Sequence, residues 1–193
     1  MDNLAPLARK ILKLSADASY EKLVIAPGDG NPAALADLTA ATTAGPRTLF
    51  PTFVTQETEA TCLLAALWLW QDYLTESHEL SQSVETATGS YWHAILHRRE
   101  GDFSNAKYWY ARAAGHPAYP SFANNAAVLL RDSPADKRLL RLFSPDTAGA
   151  ALTDLADAAH TLPPSDPRHR TAVSLQQLEF RTLFEFTVSA AQR

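Results

Sequence analysis

The segment Cys62–Trp70, CLLAALWLW, is apolar on every side of a helix and most constrains the fold. A helix that is hydrophobic all round must be covered by other elements, so this segment predicts a helix buried on several sides within a larger bundle. We predict that this helix extends from about residue 58 to 82. Its apolar stretch is far shorter than the roughly 20 residues that cross a bilayer, and we expect no membrane span.

The pattern of apolar residues elsewhere predicts an all-α fold. No segment alternates apolar and polar residues as a half-buried strand does, whereas helical spacing recurs between breaks at glycine and proline. Candidate helices cover 4–14, 33–41, 58–82, 90–100, 103–114, 121–131, 135–143, 152–159 and 171–191. Ser133 and Pro134 resemble an N-cap followed by proline at the first helical position. We therefore expect one domain over 1–193, an irregular bundle of about seven to nine helices.

Composition narrows the classes of protein to which this chain can belong. It has 193 residues, 46% of them hydrophobic and 20% charged, which is typical of a soluble globular protein. The net charge of -4 gives no basic surface for nucleic acid or for an anionic membrane. The N-terminal segment lacks the apolar stretch of a signal peptide. Cys62 is the single cysteine, so no internal disulfide forms, and we expect a buried thiol and a cytoplasmic location.

The segment 90–114 resembles one tetratricopeptide unit. The residues that carry the likeness are Ala94, Gly101, Asp102, Phe103, Ala106, Tyr110 and Ala113. They correspond to small residues that allow close helix approach, a Gly-Asp-aromatic turn and a wedging aromatic ring. His93, His97 and Pro117 depart from the family pattern, and no second copy recurs at the 34-residue period. The resemblance therefore implies one repeat-like hairpin within a globular bundle.

A second resemblance covers residues 67–117 well and the last helix loosely. The phrases LWLWQDYLTESHELSQ, TGSYWHAILHRREGDFSNAKYWYARAAGHP and LQQLEFRTLFEF are similar to an uncharacterised microbial all-helical family. That family shares the phrases Trp-His-Ala, His-Arg-Arg-Glu and Asn-Ala-Lys-Tyr-Trp. The resemblance supports the alignment of these phrases and implies no activity.

Polar side chains gather on one face of the predicted helix 90–100. His93, His97 and Glu100 lie at positions i, i+4 and i+7, within one narrow face. That face borders the apolar stripe of Trp92 and Ile95 rather than opposing it. We therefore expect it to be half-buried, as a shielded but accessible site would be.

The preceding helix brings acidic residues toward the same region. Asp72 and Glu76 continue an inward-facing apolar row near the end of that helix, and His78 follows. If the two helices pack antiparallel, these carboxylates approach His93 and His97. Charged groups on an inward row are costly unless they are paired or bind a metal.

Three hypotheses follow from this arrangement. In the first, His93 and His97 bind a divalent metal together with a carboxylate, for which Glu76 is the candidate. In the second, a metal-free pocket uses Asp72 or Glu76 as a general base and a histidine as an acid. The residues expected to contact its ligand are Arg99, Lys107, Trp109 and His116. In the third, the same groups form structural ion pairs.

We favour a pocket between the helix 58–82 and the hairpin 90–114 that binds a small polar or anionic molecule. Whether the pocket also holds a divalent metal as a cofactor is left open by the sequence. The alternative is a helical scaffold that docks a partner peptide or a second copy of the chain, which would make a homodimer. Nucleic acid and membrane are not expected partners.

Arg98 lies away from the apolar stripe and is expected to be solvated, while the neighbours of Glu179 leave its orientation open. The sequence indicates neither a reaction nor a substrate.

Overall fold

The computed structural model describes residues 3–14, 20–131 and 137–193, with the side chains of 137 and 138 left out. The described residues form α-helices and no strand, which confirms the all-α prediction. A short 3-10 helix, Pro46–Leu49, follows α2. The α-helices are α1 Pro6–Lys13, α2 Pro32–Ala44, α3 Glu57–Trp70, α4 Leu74–Gln82, α5 Ala87–Glu100, α6 Phe103–Arg112, α7 Tyr119–Arg131, α8 Lys137–Leu142, α9 Ala148–Ala159 and α10 Pro167–Ala191. The predicted N-cap at Ser133 and Pro134 lies outside the described residues.

The prediction of one helix over 58–82 is wrong, because the chain turns sharply between α3 and α4. Asp72 has a φ of 64°, a left-handed conformation that no helix interior adopts. The buried Gln71 side chain fixes this turn by donating to the carbonyls of Ile11 at 2.6 Å and Leu14 at 3.0 Å. Splitting this helix raises the nine candidate helices to the ten α-helices of the described chain.

The turn between α5 and α6 lies where the sequence predicts it. Gly101 ends α5 with a φ of 84°, a left-handed conformation that favours glycine. Asp102 then caps α6, its side chain accepting a hydrogen bond of 3.1 Å from the backbone N–H of Asn105. The tetratricopeptide likeness of this hairpin remains a prediction.

Helix α5 lies at the centre of the fold. Twelve of its 14 residues are buried, so it is covered on all sides. One apolar cluster joins it to α3, α6 and α10, and includes Trp92, Ile95 and Phe180. A second cluster packs α1 and α2 against α3, and a third packs α7 and α9 against α10. None of the described helices is both long enough and apolar enough to span a membrane.

The prediction that Arg98 is solvated is wrong. The Arg98 side chain is fully buried, and its guanidinium lies 2.6 Å from the Glu179 carboxylate on α10. Arg98 can be buried because α10, which also packs on Trp92, brings the Glu179 carboxylate to the guanidinium. Helix α10 also begins earlier than predicted, at Pro167, since the Asp166 side chain accepts a hydrogen bond of 2.8 Å from the Arg168 N–H.

Candidate histidine site

Three histidine rings meet between α4 and α5. His78 comes from α4, and His93 and His97 lie one turn apart on α5. The ring centroids are 4.6 Å apart for His78 and His93, 4.6 Å for His93 and His97, and 5.4 Å for His78 and His97. One nitrogen from each ring lies within 4.8 Å of the others. Among the residues that the structure describes, no other group of three His, Cys, Asp or Glu side chains is placed in this way.

His97 has hydrogen-bonding partners at both ring nitrogens. Its Nδ1 lies 2.8 Å from a carboxylate oxygen of Glu100, and its Nε2 lies 3.1 Å from the Asn105 amide nitrogen. Because a carboxylate only accepts, Nδ1 carries the hydrogen of the neutral ring and Nε2 is left as the acceptor. The Glu100 side chain is 35% exposed, so this contact lies where the site approaches solvent.

His93 is the most enclosed member of the cluster, only 2% exposed. Its ring stacks on Trp109 with centroids 4.1 Å apart and an angle of 11° between the planes. Burial, together with the neighbouring His97 and His78, lowers the pKa of His93 to about 3. Its Nδ1 is buried and has no hydrogen-bond partner among the described residues. His93 is therefore a neutral ring with a polar atom that the protein leaves unsatisfied.

The predicted acidic residues lie elsewhere. Asp72 pairs with Arg99, its carboxylate oxygen 2.9 Å from the guanidinium. Glu76 lies in the first turn of α4, where it adds to burial in raising the pKa of Tyr73. Neither carboxylate belongs to the group of side chains around His93 and His97. The third member of that group is His78, which sequence reasoning noted but did not assign to the site.

The residues predicted to contact a ligand do not line one pocket but take part in separate interactions. Arg99 is fully buried, with its guanidinium 3.8 Å from the centre of the Tyr20 ring. Lys107 pairs with Asp154 at the surface. Only Trp109 packs against the histidine cluster, through its stack on His93.

His116 belongs to a separate buried chain of polar groups. Its Nδ1 accepts a hydrogen bond of 3.1 Å from the backbone N–H of Ala118, so Nε2 carries the hydrogen of the neutral ring. That nitrogen lies 3.1 Å from the Thr88 hydroxyl, which donates to Glu59 at 2.9 Å. Burial lowers the pKa of His116 to about 4 and raises that of Glu59. This chain ties α3 and α5 to the segment after α6.

The pairing of Asp72 with Arg99 gives a testable expectation. Replacing Asp72 by Asn keeps a residue type that tolerates the left-handed backbone but removes the charge that faces buried Arg99. We expect Asp72→Asn to lower the free energy of unfolding by about 1–3 kcal/mol. Urea unfolding measures this change, and Asp154→Asn at the exposed Lys107 pair is the control. Equal stability of the two variants would contradict the expectation.

Comparison of the chain with protein-family models, with curated proteins and with solved structures finds no match. Both resemblances proposed from the sequence therefore remain predictions. The functional hypotheses rest on the geometry of the side chains alone.

Proposed function

We propose that the protein binds a divalent transition metal through His78, His93 and His97, and that the metal holds a small polar or anionic ligand. The observation that carries the proposal is the approach of three imidazole nitrogens, from two helices, to within 4.8 Å of one another. Three nitrogens at about 2.1 Å from zinc are separated by roughly 3.4 Å, so modest side-chain rotation brings these rings into range. The metal hypothesis thus keeps two of its sequence-predicted ligands and takes His78 in place of Glu76.

The donor atoms favour a particular class of metal. Imidazole suits zinc, copper, nickel and cobalt, whereas calcium and magnesium prefer oxygen ligands. Within the described part of the chain, no carboxylate joins the three-histidine group. We therefore propose zinc or a neighbouring transition metal rather than magnesium or calcium.

Two features of the surroundings support ligation. Metal-binding histidines commonly donate their second ring N–H to a carboxylate, which orients the ring and makes the free nitrogen more basic. Glu100 accepts such a bond from His97, leaving Nε2 for the metal. The lowered pKa of His93 keeps that ring neutral near pH 7, so a metal does not compete with a proton there.

The number of ligands supports an exchangeable position on the metal. Structural zinc sites generally use four protein ligands, whereas three ligands leave a position for water or substrate. A metal at the three histidines keeps its positive charge, because all three ligands are neutral when bound. An anion or a polarised water suits that position. These groups indicate binding and no particular reaction.

Zinc is expected to bind with one ion per chain and to stabilise the fold. At a free concentration a hundredfold above Kd, binding adds about 2.7 kcal/mol to the free energy of unfolding. For a protein of this size, that corresponds to a rise in Tm of roughly 5–10 °C. Calorimetric titration and thermal unfolding of tag-free, chelator-treated protein measure both quantities, with magnesium as the metal control.

His78→Ala is the variant of choice, because His78 is half-buried and its loss disturbs the core least. We expect at least a tenfold loss of zinc affinity, whereas His160→Ala, outside the cluster, leaves affinity unchanged. An unchanged affinity in His78→Ala would refute the proposed ligand set. An effect on oligomeric state without any on metal binding would favour the scaffold hypothesis.

A further inference from the structure

Asn105 lies beside the histidine cluster and contacts His97. It lies in the first turn of α6, where its backbone N–H bonds to the Asp102 side chain at 3.1 Å. That bond holds the residue in place independently of its own side chain. The side-chain amide also bonds to the Asp102 carboxylate, and its nitrogen lies 3.1 Å from His97 Nε2.

The tautomer of His97 decides what the Asn105 contact means. The Glu100 carboxylate can only accept, so it holds the hydrogen on Nδ1. Nε2 then carries a lone pair, which accepts a hydrogen bond from the side-chain N–H of Asn105. This is the lone pair that the proposed function assigns to the metal.

We propose that Asn105 is a gate on the metal site: its amide caps the metal-binding nitrogen of His97, and a metal must displace it. This inference rests on the proposed function and adds a regulation of the same site. His93 offers the contrast, because its buried Nδ1 has no partner to give up. The site therefore combines His93, whose Nδ1 accepts no hydrogen bond from the described residues, with His97, whose Nε2 is capped by the Asn105 amide.

The gate raises the free metal concentration at which the site fills. Displacing the amide costs one hydrogen bond, whichever metal enters. Copper, nickel and zinc recover this cost because imidazole binds them tightly, while manganese gains less from the same ligands. Because the cost is the same for each of them, the gate lowers every metal affinity by one factor and leaves the ratio between metals to the histidines. At a given concentration, metals that bind imidazole weakly then leave the site empty while tightly binding metals still fill it.

The test compares metal affinity in the wild type, in Asn105→Ala and in Asn105→Leu. Removing the cap is expected to raise zinc affinity by about three- to tenfold, since a net hydrogen bond no longer has to be broken. Competition with a chromophoric chelator measures the affinity. Asn124→Ala on the exposed face of α7 is the matched control and should leave the affinity unchanged. Two substitutions at residue 105 guard against one of them failing to fold.

A metal-independent measurement accompanies the titration. Long-range proton–nitrogen NMR of the imidazole rings reports which nitrogen of His97 carries hydrogen. We expect the Nδ1–H form in the wild type and a shift of the Nε2 resonance in both Asn105 variants.

These measurements separate failure of the gate from failure of the proposed function. Zinc affinity that is unchanged or weaker in both folded variants would overturn the gate, as would an Nε2–H tautomer of His97. A wild type that binds no zinc would overturn the proposed function and the gate together. Zinc binding by the wild type with no gain in the variants would leave the proposed function standing alone.

Discussion

Glu179→Leu is expected to lower the free energy of unfolding by about 3–5 kcal/mol, because it leaves the Arg98 guanidinium buried without a countercharge. Neither side chain of this pair has any exposed surface, and the closest nitrogen and oxygen are 2.6 Å apart. Burial alone would lower the pKa of Arg98, but the Glu179 carboxylate, together with Tyr110 and Tyr20, outweighs burial and raises the pKa. Arginine stays charged without its partner, since its ordinary pKa lies far above neutral pH.

Tyr110 extends the pair into a network between three helices. Its hydroxyl donates to Glu179 at 2.9 Å and accepts from Arg98. Arg98 also has a buried Nε, for which the described part of the chain supplies no hydrogen-bond partner. Losing Glu179 therefore leaves several buried polar atoms unsatisfied on α5 and α6, which adds to the cost of the unpaired charge.

A double-variant cycle separates the pairing from simple loss of packing. Arg98→Met with Glu179→Leu replaces both charges by apolar groups of similar size, and such replacements are often neutral or stabilising. We expect the double variant to be more stable than either single variant, as measured by urea unfolding of all four proteins. Lys107→Met at the exposed pair with Asp154 is the control, with an expected change of about 0–1 kcal/mol. A Glu179→Leu effect no larger than this control would contradict the argument.

The sequence predicts the fold class well because helical periodicity is a local property. Eight of the nine candidate helices each correspond to one observed helix, and the ninth, 58–82, covers both α3 and α4. The Gly101–Asp102 turn lies where its residue types place it. The break at Asp72 could not be seen in the same way. The side chain that fixes this turn, Gln71, bonds to carbonyls near the N-terminus of the chain, some 60 residues away. Periodicity contains no information about such a distant partner.

The histidine site was only partly predictable for the same reason. His93 and His97 share a helix face, and spacing along one helix reveals that. The position of His78 depends on the direction in which α4 leaves the turn after α3. A continuous helix over 58–82 suggested Asp72 and Glu76 as the neighbours of the two histidines. Arg98 was misjudged similarly, since only the docking of α10 supplies the Glu179 carboxylate that allows its burial.

Acidification from pH 7 to pH 4.5 is expected to lower the free energy of unfolding by several kcal/mol. The pKa of His93 is lowered to about 3 and that of His116 to about 4, both first of all by burial. In the unfolded chain both rings titrate near 6.5. Below that pH the unfolded state therefore binds more protons than the folded state. Each histidine then contributes a loss of up to about 1.4 kcal/mol per pH unit.

The groups around the two rings determine the pH range in which the free energy of unfolding falls most steeply. His93 faces His78 and His97, which disfavour a further positive charge. His116 faces the Thr88 hydroxyl, which in turn bonds to Glu59. Burial raises the pKa of Glu59, so the folded state binds that proton more readily. Glu59 therefore offsets part of the loss toward pH 4.5, and the steepest loss lies between pH 6.5 and pH 5.

Urea unfolding at a series of pH values, in the presence of chelator, measures the loss. His93→Gln and His116→Gln should each flatten the dependence between pH 6.5 and pH 5, while His160→Gln, at a half-buried position outside both networks, should leave it unchanged. Because each variant is compared with itself across pH, its own change in stability at neutral pH cancels. A wild-type stability that stays constant from pH 6.5 to pH 5 would mean that neither ring is held neutral by burial. His93 would then not be expected to present an uncharged nitrogen to a metal at acidic pH.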